Sequence, residues 1–128
     1  MSKKDLNLPT ESAVKEFEML NKLLDASFVE IKEFSKKKPD ELLNLFKVKS
    51  LNRMLEPIKE ILKNEATASF LDILEEEKIP SYSDAILVIS QFQAAMKYFK
   101  NSYYGREYAM SMDYRWFTRE NPGKPYRK

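Results

Sequence analysis

Cysteine and histidine are both absent from this sequence, and glycine occurs only twice, at Gly105 and Gly123. Without cysteine there is no disulfide framework and no thiolate metal site. Without histidine there is no Ser-His-Asp or Cys-His triad, and the commonest general base and transition-metal ligand are missing. A paired di-iron site of the Glu-x-x-His kind is excluded for the same reason. Two glycines cannot spell a phosphate-binding loop, a dinucleotide fingerprint or a nucleophile elbow. No apolar run approaches the roughly 18 residues of a membrane span. The first residues, Met1 to Asn7, lack the apolar stretch of a secretory leader. These absences point to a non-enzymatic, cytoplasmic chain with no cofactor, no metal and no membrane partner.

What remains is a globular composition. Of the 128 residues, 43% are hydrophobic and 33% charged, well away from the signature of disorder. The length suits one core that needs no covalent staples. Helical spacing dominates. Val14, Phe17, Leu20, Leu24, Phe28, Ile31 and Phe34 recur at intervals of three and four, widened by Leu23, and predict a helix over 10–37. Thr10 and Glu11 suit its start, and Lys36, Lys37 and Lys38 suit its negative end.

A second helix is predicted from Pro39, a natural first-turn residue. Pro57 should kink or break it near Leu55 and Glu56, with a fresh helix to about Lys63. A short helix is predicted over 67–75. Ser81 and Asp84 have the spacing of a capping box and introduce a last helix over 82–104, with Gly105 as its C-cap. Ile86, Leu87, Val88 and Ile89 could be read as a strand, but the pattern through Phe99 argues for helix. The expected fold class is all-α: a compact bundle of four to five helices with a Pro-kinked central helix and an aromatic, basic C-terminal extension. The organisation expected is a helical bundle over 1–105 and an extension over 106–128, packed on the bundle or on a partner.

The extension differs from the rest in charge and in rings. Residues 106–128 carry six Lys/Arg against three Asp/Glu, a net +3, whereas residues 1–105 carry sixteen against seventeen. Tyr103, Tyr104, Tyr108, Tyr114, Trp116, Phe117 and Tyr126 crowd into or beside it. Three readings follow. The rings complete the core; or Tyr, Trp and Arg anchor a protein partner; or the rings stack on unpaired bases while cations hold phosphates. The leading functional expectation is a helical interaction module, namely an adaptor, small subunit or inhibitor. Its partner-binding residues would be Tyr108, Tyr114, Arg115, Trp116, Phe117 and Arg119. Met110 and Met112 between the tyrosines suit an adaptable contact surface.

The alternative is a nucleic-acid-binding accessory protein. It would use Lys36, Lys37, Lys38, Arg106, Arg127 and Lys128 on phosphates, joined by Arg115 and Arg119. For the three lysines, a solvated helix end is the simpler reading. A third class is a small-ligand pocket between helices, bordered by Tyr98 or Tyr103. Glu75, Glu76 and Glu77 with Asp72 form an acidic cluster that lacks the ligand pattern of a calcium loop. A second copy of the chain is one way to cover the apolar stripes, so a homo-oligomer is also in view.

Overall fold

The computed structural model describes residues 7–127. The leader reading of the first residues falls on 1–6, apart from Asn7, and Lys128 is the last residue; both lie outside the described residues. Among the described residues the chain is mostly helical. It has three α-helices, one short 3-10 turn and a two-stranded ribbon, so the bundle of four to five helices is not what forms. No helix among them is long and apolar enough to cross a membrane.

Helix α1 spans Glu11–Lys37. Thr10 caps it by accepting a hydrogen bond from the Ala13 amide at 3.1 Å. Val14, Phe17, Leu20 and Leu24 form its buried stripe, while Phe28 and Ile31 further along are partly covered. Leu23, expected to widen the stripe, is exposed instead. At about 1.5 Å per residue the helix is about 40 Å long, and α2 and α3 both pack against it.

Helix α2 spans Leu45–Ile61 and does not begin at Pro39. The preceding backbone is committed elsewhere. Leu43 donates to the Pro80 carbonyl, Tyr82 to Glu41 and Ser83 to Pro39, at 2.9–3.0 Å. Leu42 and Ser81 form an isolated antiparallel bridge. Asn44 supplies the cap, accepting from the Lys47 amide at 2.8 Å. Pro57 sits inside the helix without breaking it. It forfeits one helical bond, to the carbonyl of Arg53. Arg53 is on the exposed side, and buried Leu55 and Ile58 hold the flanking turns in the core.

The helix predicted over 67–75 is a 3-10 turn, Ala66–Phe70, followed by extended chain. Asn52 explains the difference. Its buried amide donates to the Leu74 carbonyl at 2.8 Å and accepts from the Leu74 amide at 2.9 Å. One side chain thus plays the part of a neighbouring strand and fixes Leu74, with Leu71, in the core.

Helix α3 spans Tyr82–Tyr103, capped by Ser81 on the Asp84 amide at 3.1 Å. The β-branched run is helical, with Ile89 buried. Gly105 is not a helix cap. It lies in strand β1, Tyr104–Gly105, which pairs antiparallel with β2, Arg115–Trp116, in the register Tyr104 to Trp116 and Gly105 to Arg115.

Candidate functional site

The last quarter of the chain folds back across the start of α1 and the end of α3. Phe117 donates its amide to the Tyr103 carbonyl, and Tyr126 donates to Arg106, each at 2.7 Å. The final segment thereby lies along the ribbon. Gly105 permits this, because a Cβ there would sit 2.9 Å from Pro125 Cβ.

Trp116 is partly buried. Its ring meets Phe17 edge-on at 5.5 Å, Phe99 at 6.0 Å and Tyr104 at 5.5 Å between centroids. Phe117 is wholly buried. Gly123 has φ +138°, and a Cβ there would stand 3.0 Å from the Phe117 ring; glycine meets both demands. The Arg115 guanidinium covers the same ring at 4.0 Å. It donates from Nε to Glu107 at 2.7 Å, from Nη1 to the carbonyls of Trp116 and Asn121 at 3.0 and 2.8 Å, and from Nη2 to Pro122 at 3.1 Å. Arg119 reaches the N-terminal segment, donating from Nε to the Leu8 carbonyl and from its amide to Pro9, both at 3.0 Å. The Glu120 carboxylate accepts from the Glu11 amide at 3.2 Å, placing negative charge on the positive end of α1.

These contacts divide the expected partner-binding set. Phe117 presents no surface, and Arg115, Arg119 and Trp116 are engaged within the molecule. Tyr108 and Tyr114 remain outside. They lie on the loop 106–114 between the two strands, with Tyr108 61%, Met110 85%, Met112 89% and Tyr114 57% exposed. The methionines are the residues that a search for Tyr, Trp and Arg anchors underweights. Their signal in the sequence is position, since they alternate between the tyrosines.

Cations gather beside this loop. Tyr104 and Tyr114 stack at 6.1 Å with 25° between planes. Lys100 lies 4.8 Å over the Tyr104 ring and Arg106 5.9 Å over Tyr126. Arg127 donates to the Asn101 carbonyl. Lys36, Lys37 and Lys38 are exposed at the far end of α1, with Lys36 paired to Glu33 at 3.2 Å. Lys36 is about 28 Å along the axis from Phe17, so these lysines do not join Arg106 and Arg127 in one patch.

One titratable pair is perturbed. The Tyr103 hydroxyl donates to the Glu65 carboxylate at 3.0 Å. Burial pushes Glu65 above its ordinary 4.5, opposed by that hydrogen bond. Burial, then the bond to Glu65 and its charge, push Tyr103 up to about 12. A cleft of about 460 Å³ opens nearby, lined by Thr10, Glu16, Pro57, Glu65, Phe99 and Arg119 among others. Neither Tyr98 nor Tyr103 lines it. The acidic residues Asp72, Glu75, Glu76 and Glu77 are exposed, and no group of Asp and Glu among the described residues is arranged to hold a metal ion.

No protein-family model matches this chain, and neither a curated protein nor a solved structure matches it.

Proposed function

We propose that the protein is a non-enzymatic helical interaction module, an adaptor, small subunit or inhibitor, that docks a protein partner through the loop 106–114. The observation that carries this reading is the loop itself. Four large apolar side chains within seven residues are more than half exposed, on a loop whose two ends are clamped by the β1–β2 ladder. Exposed apolar groups at this density mark contact surfaces. Methionine adapts to a partner's shape, and tyrosine supplies rigid area at low entropic cost. The clamp reduces the ordering entropy that a free tail would lose on binding. Trp116, Phe117, Arg115 and Arg119 serve as the mount, so the contact set moves to Tyr108, Met110, Met112 and Tyr114.

The test is affinity capture with the full chain and with a variant carrying Tyr108→Ser, Met110→Ser, Met112→Ser and Tyr114→Ser. All four positions are exposed, so the helical spectrum and melting point should hold. A partner retained by the native chain and lost by the variant supports the reading; identical capture by both contradicts it.

A second reading is favoured by the Tyr104–Tyr114 stack, with Lys100 on one ring and Arg106 over Tyr126. Stacked rings flanked by cations suit unpaired bases. Anisotropy of a labelled single-stranded oligonucleotide at about 50 and 200 mM salt decides it. Tail-dependent binding that weakens steeply with salt would put nucleic acid first. No binding at the lower salt would remove it.

A further inference from the structure

Sulfur in this chain is all thioether: six methionines and no cysteine. No thiolate competes for an oxidant, so peroxide chemistry at sulfur falls to the methionines. The fold ranks them by access. Met96 lies in the core, 1% exposed. Met54 is partly buried, and Ser27 donates a hydrogen bond to its sulfur at 3.9 Å. Met19, on α1, is 54% exposed, whereas Met110 and Met112 are 85% and 89% exposed.

A local turn sets the last two apart. Between them, Ser111 donates its amide to the Tyr108 carbonyl at 3.1 Å. Its hydroxyl accepts from the Asp113 amide at 3.2 Å, a serine bonding its own backbone in a turn. Ser111 is thereby half-buried on the loop itself, and the methionines on either side face solvent. Among the described residues no hydrogen bond reaches either thioether. Neither sulfur holds the loop in place, because the Tyr104–Trp116 and Gly105–Arg115 pairs close it.

We propose that Met110 and Met112 form a reversible oxidation site for hydroperoxides, at which the loop 106–114 changes from an apolar to a polar surface. A sulfur lone pair attacks one peroxide oxygen. The S–O bond forms as the O–O bond breaks, and the leaving hydroxide takes up the proton of the transferred oxygen and departs as water. Sulfur loses two electrons and the peroxide gains them. The sulfoxide carries a strong dipole and accepts hydrogen bonds from water. Two of the four exposed apolar side chains of the loop are then polar, while the core and the ladder are untouched. Methionine sulfoxide reductases, one for each sulfoxide epimer, return two electrons and release the oxygen as water. As an off-switch for docking, this modification rests on the reading of the loop as a contact surface; as chemistry, it does not.

The test treats the full chain with dilute hydrogen peroxide and maps the products over time by peptide mass spectrometry. Met110 and Met112 should convert first, about tenfold or more ahead of Met96, with Met19 behind the loop. Once both loop methionines are oxidised, the chain should elute earlier from a hydrophobic-interaction column, with its helical spectrum and melting point unchanged. The reductase pair should restore the original retention. Met110→Leu with Met112→Leu keeps the loop apolar at similar volume and removes both thioethers, so its retention should not move under peroxide. Oxidation of Met19, Met54 or Met96 ahead of the loop would overturn the proposal. So would an equal shift in the double leucine variant, or a melting point lowered by loop oxidation alone. Partner capture separates the two readings. If the four-serine variant captures what the native chain captures, docking fails and the oxidation site stands on its own readouts. If docking holds but the oxidised chain retains its partner as well as the native chain does, the off-switch is overturned.

Discussion

Replacing Asn52 with alanine should destabilise the protein far more than its size suggests. The side chain is 6% exposed and makes both of its hydrogen bonds to one residue, Leu74. Alanine strands the Leu74 amide and carbonyl under α2. A buried polar group left unpaired costs about 1–3 kcal/mol, so the pair implies a loss of about 2–6 kcal/mol. A domain has only about 5–15 kcal/mol to lose. For a chain of this length, the melting point should fall by about 8–24 °C. Urea denaturation followed by Trp116 fluorescence and helical circular dichroism measures the loss. Asn52→Asp gives an internal control. The carboxylate still accepts from the Leu74 amide but faces the carbonyl with a negative charge and no donor. Its protonated form can donate, and burial raises the folded pKa, so the deficit of Asn52→Asp should shrink as pH falls toward about 4, the unfolded value, and level off below it. A loss under about 1 kcal/mol for Asn52→Ala would refute the reasoning, because it would mean that Leu74 finds solvent or another partner.

Trp116→Ala should cost about 2–3 kcal/mol, less than a fully buried tryptophan, because its ring is only partly buried against Phe17 and Phe99; an unchanged urea midpoint by circular dichroism would count against the packing. Glu120→Ala should lower the melting point by about 2–4 °C by removing the carboxylate at the start of α1, and no shift would mean that water serves the Glu11 amide equally well. Glu65 is raised in the folded state, so the native form holds more protons just above the ordinary carboxylate range. Its contribution to stability is therefore fully present below its unfolded pKa and lost as pH rises through the folded one. Carboxyl NMR should show its inflection above 4.5, and Tyr103→Phe, which removes the opposing hydrogen bond, should move it higher still; a downward move would contradict the assignment. Gly105→Ala should push Pro125 off the ribbon and lower hydrogen-exchange protection at the Tyr126 amide, which donates to Arg106, while leaving the helical spectrum intact.

Local signals proved legible where the partner of each group was also local. Thr10 and Ser81 cap the helices they precede, and the apolar spacing from Val14 to Leu24 is the buried face of α1. Long-range partners defeated the same rules. Pro39, Asp40 and Glu41 look like a first helical turn, but the segment before α3 takes the backbone bonds of Pro39, Glu41 and Leu43. Leu71 and Leu74 have helical spacing, yet an asparagine on another helix holds Leu74 extended. In the tail, composition singled out the aromatic segment but could not sort its rings. Tyr114 is exposed, Trp116 half covered and Phe117 buried. What sorts them is the pairing of Trp116 with Tyr104 and the bond from Phe117 to Tyr103, neither of which composition encodes. Arg115 likewise reads as an anchor for a partner until its bonds to Trp116, Asn121 and Pro122 are seen. Tyr108, Met110 and Met112 are left exposed because the ladder closes behind them.

The central claim is that the aromatic tail is mounted on the helices as part of one cooperative fold, leaving the loop 106–114 as its free surface. Trp116 is the sole tryptophan and reports on the packing of the tail against Phe17 and Phe99, while circular dichroism at 222 nm reports on the helices. A single urea titration followed by both signals tests the claim most directly. The account predicts coincident transitions with one midpoint. A tryptophan transition complete at lower urea, with the helices still intact, would show a tail that detaches independently and would contradict it.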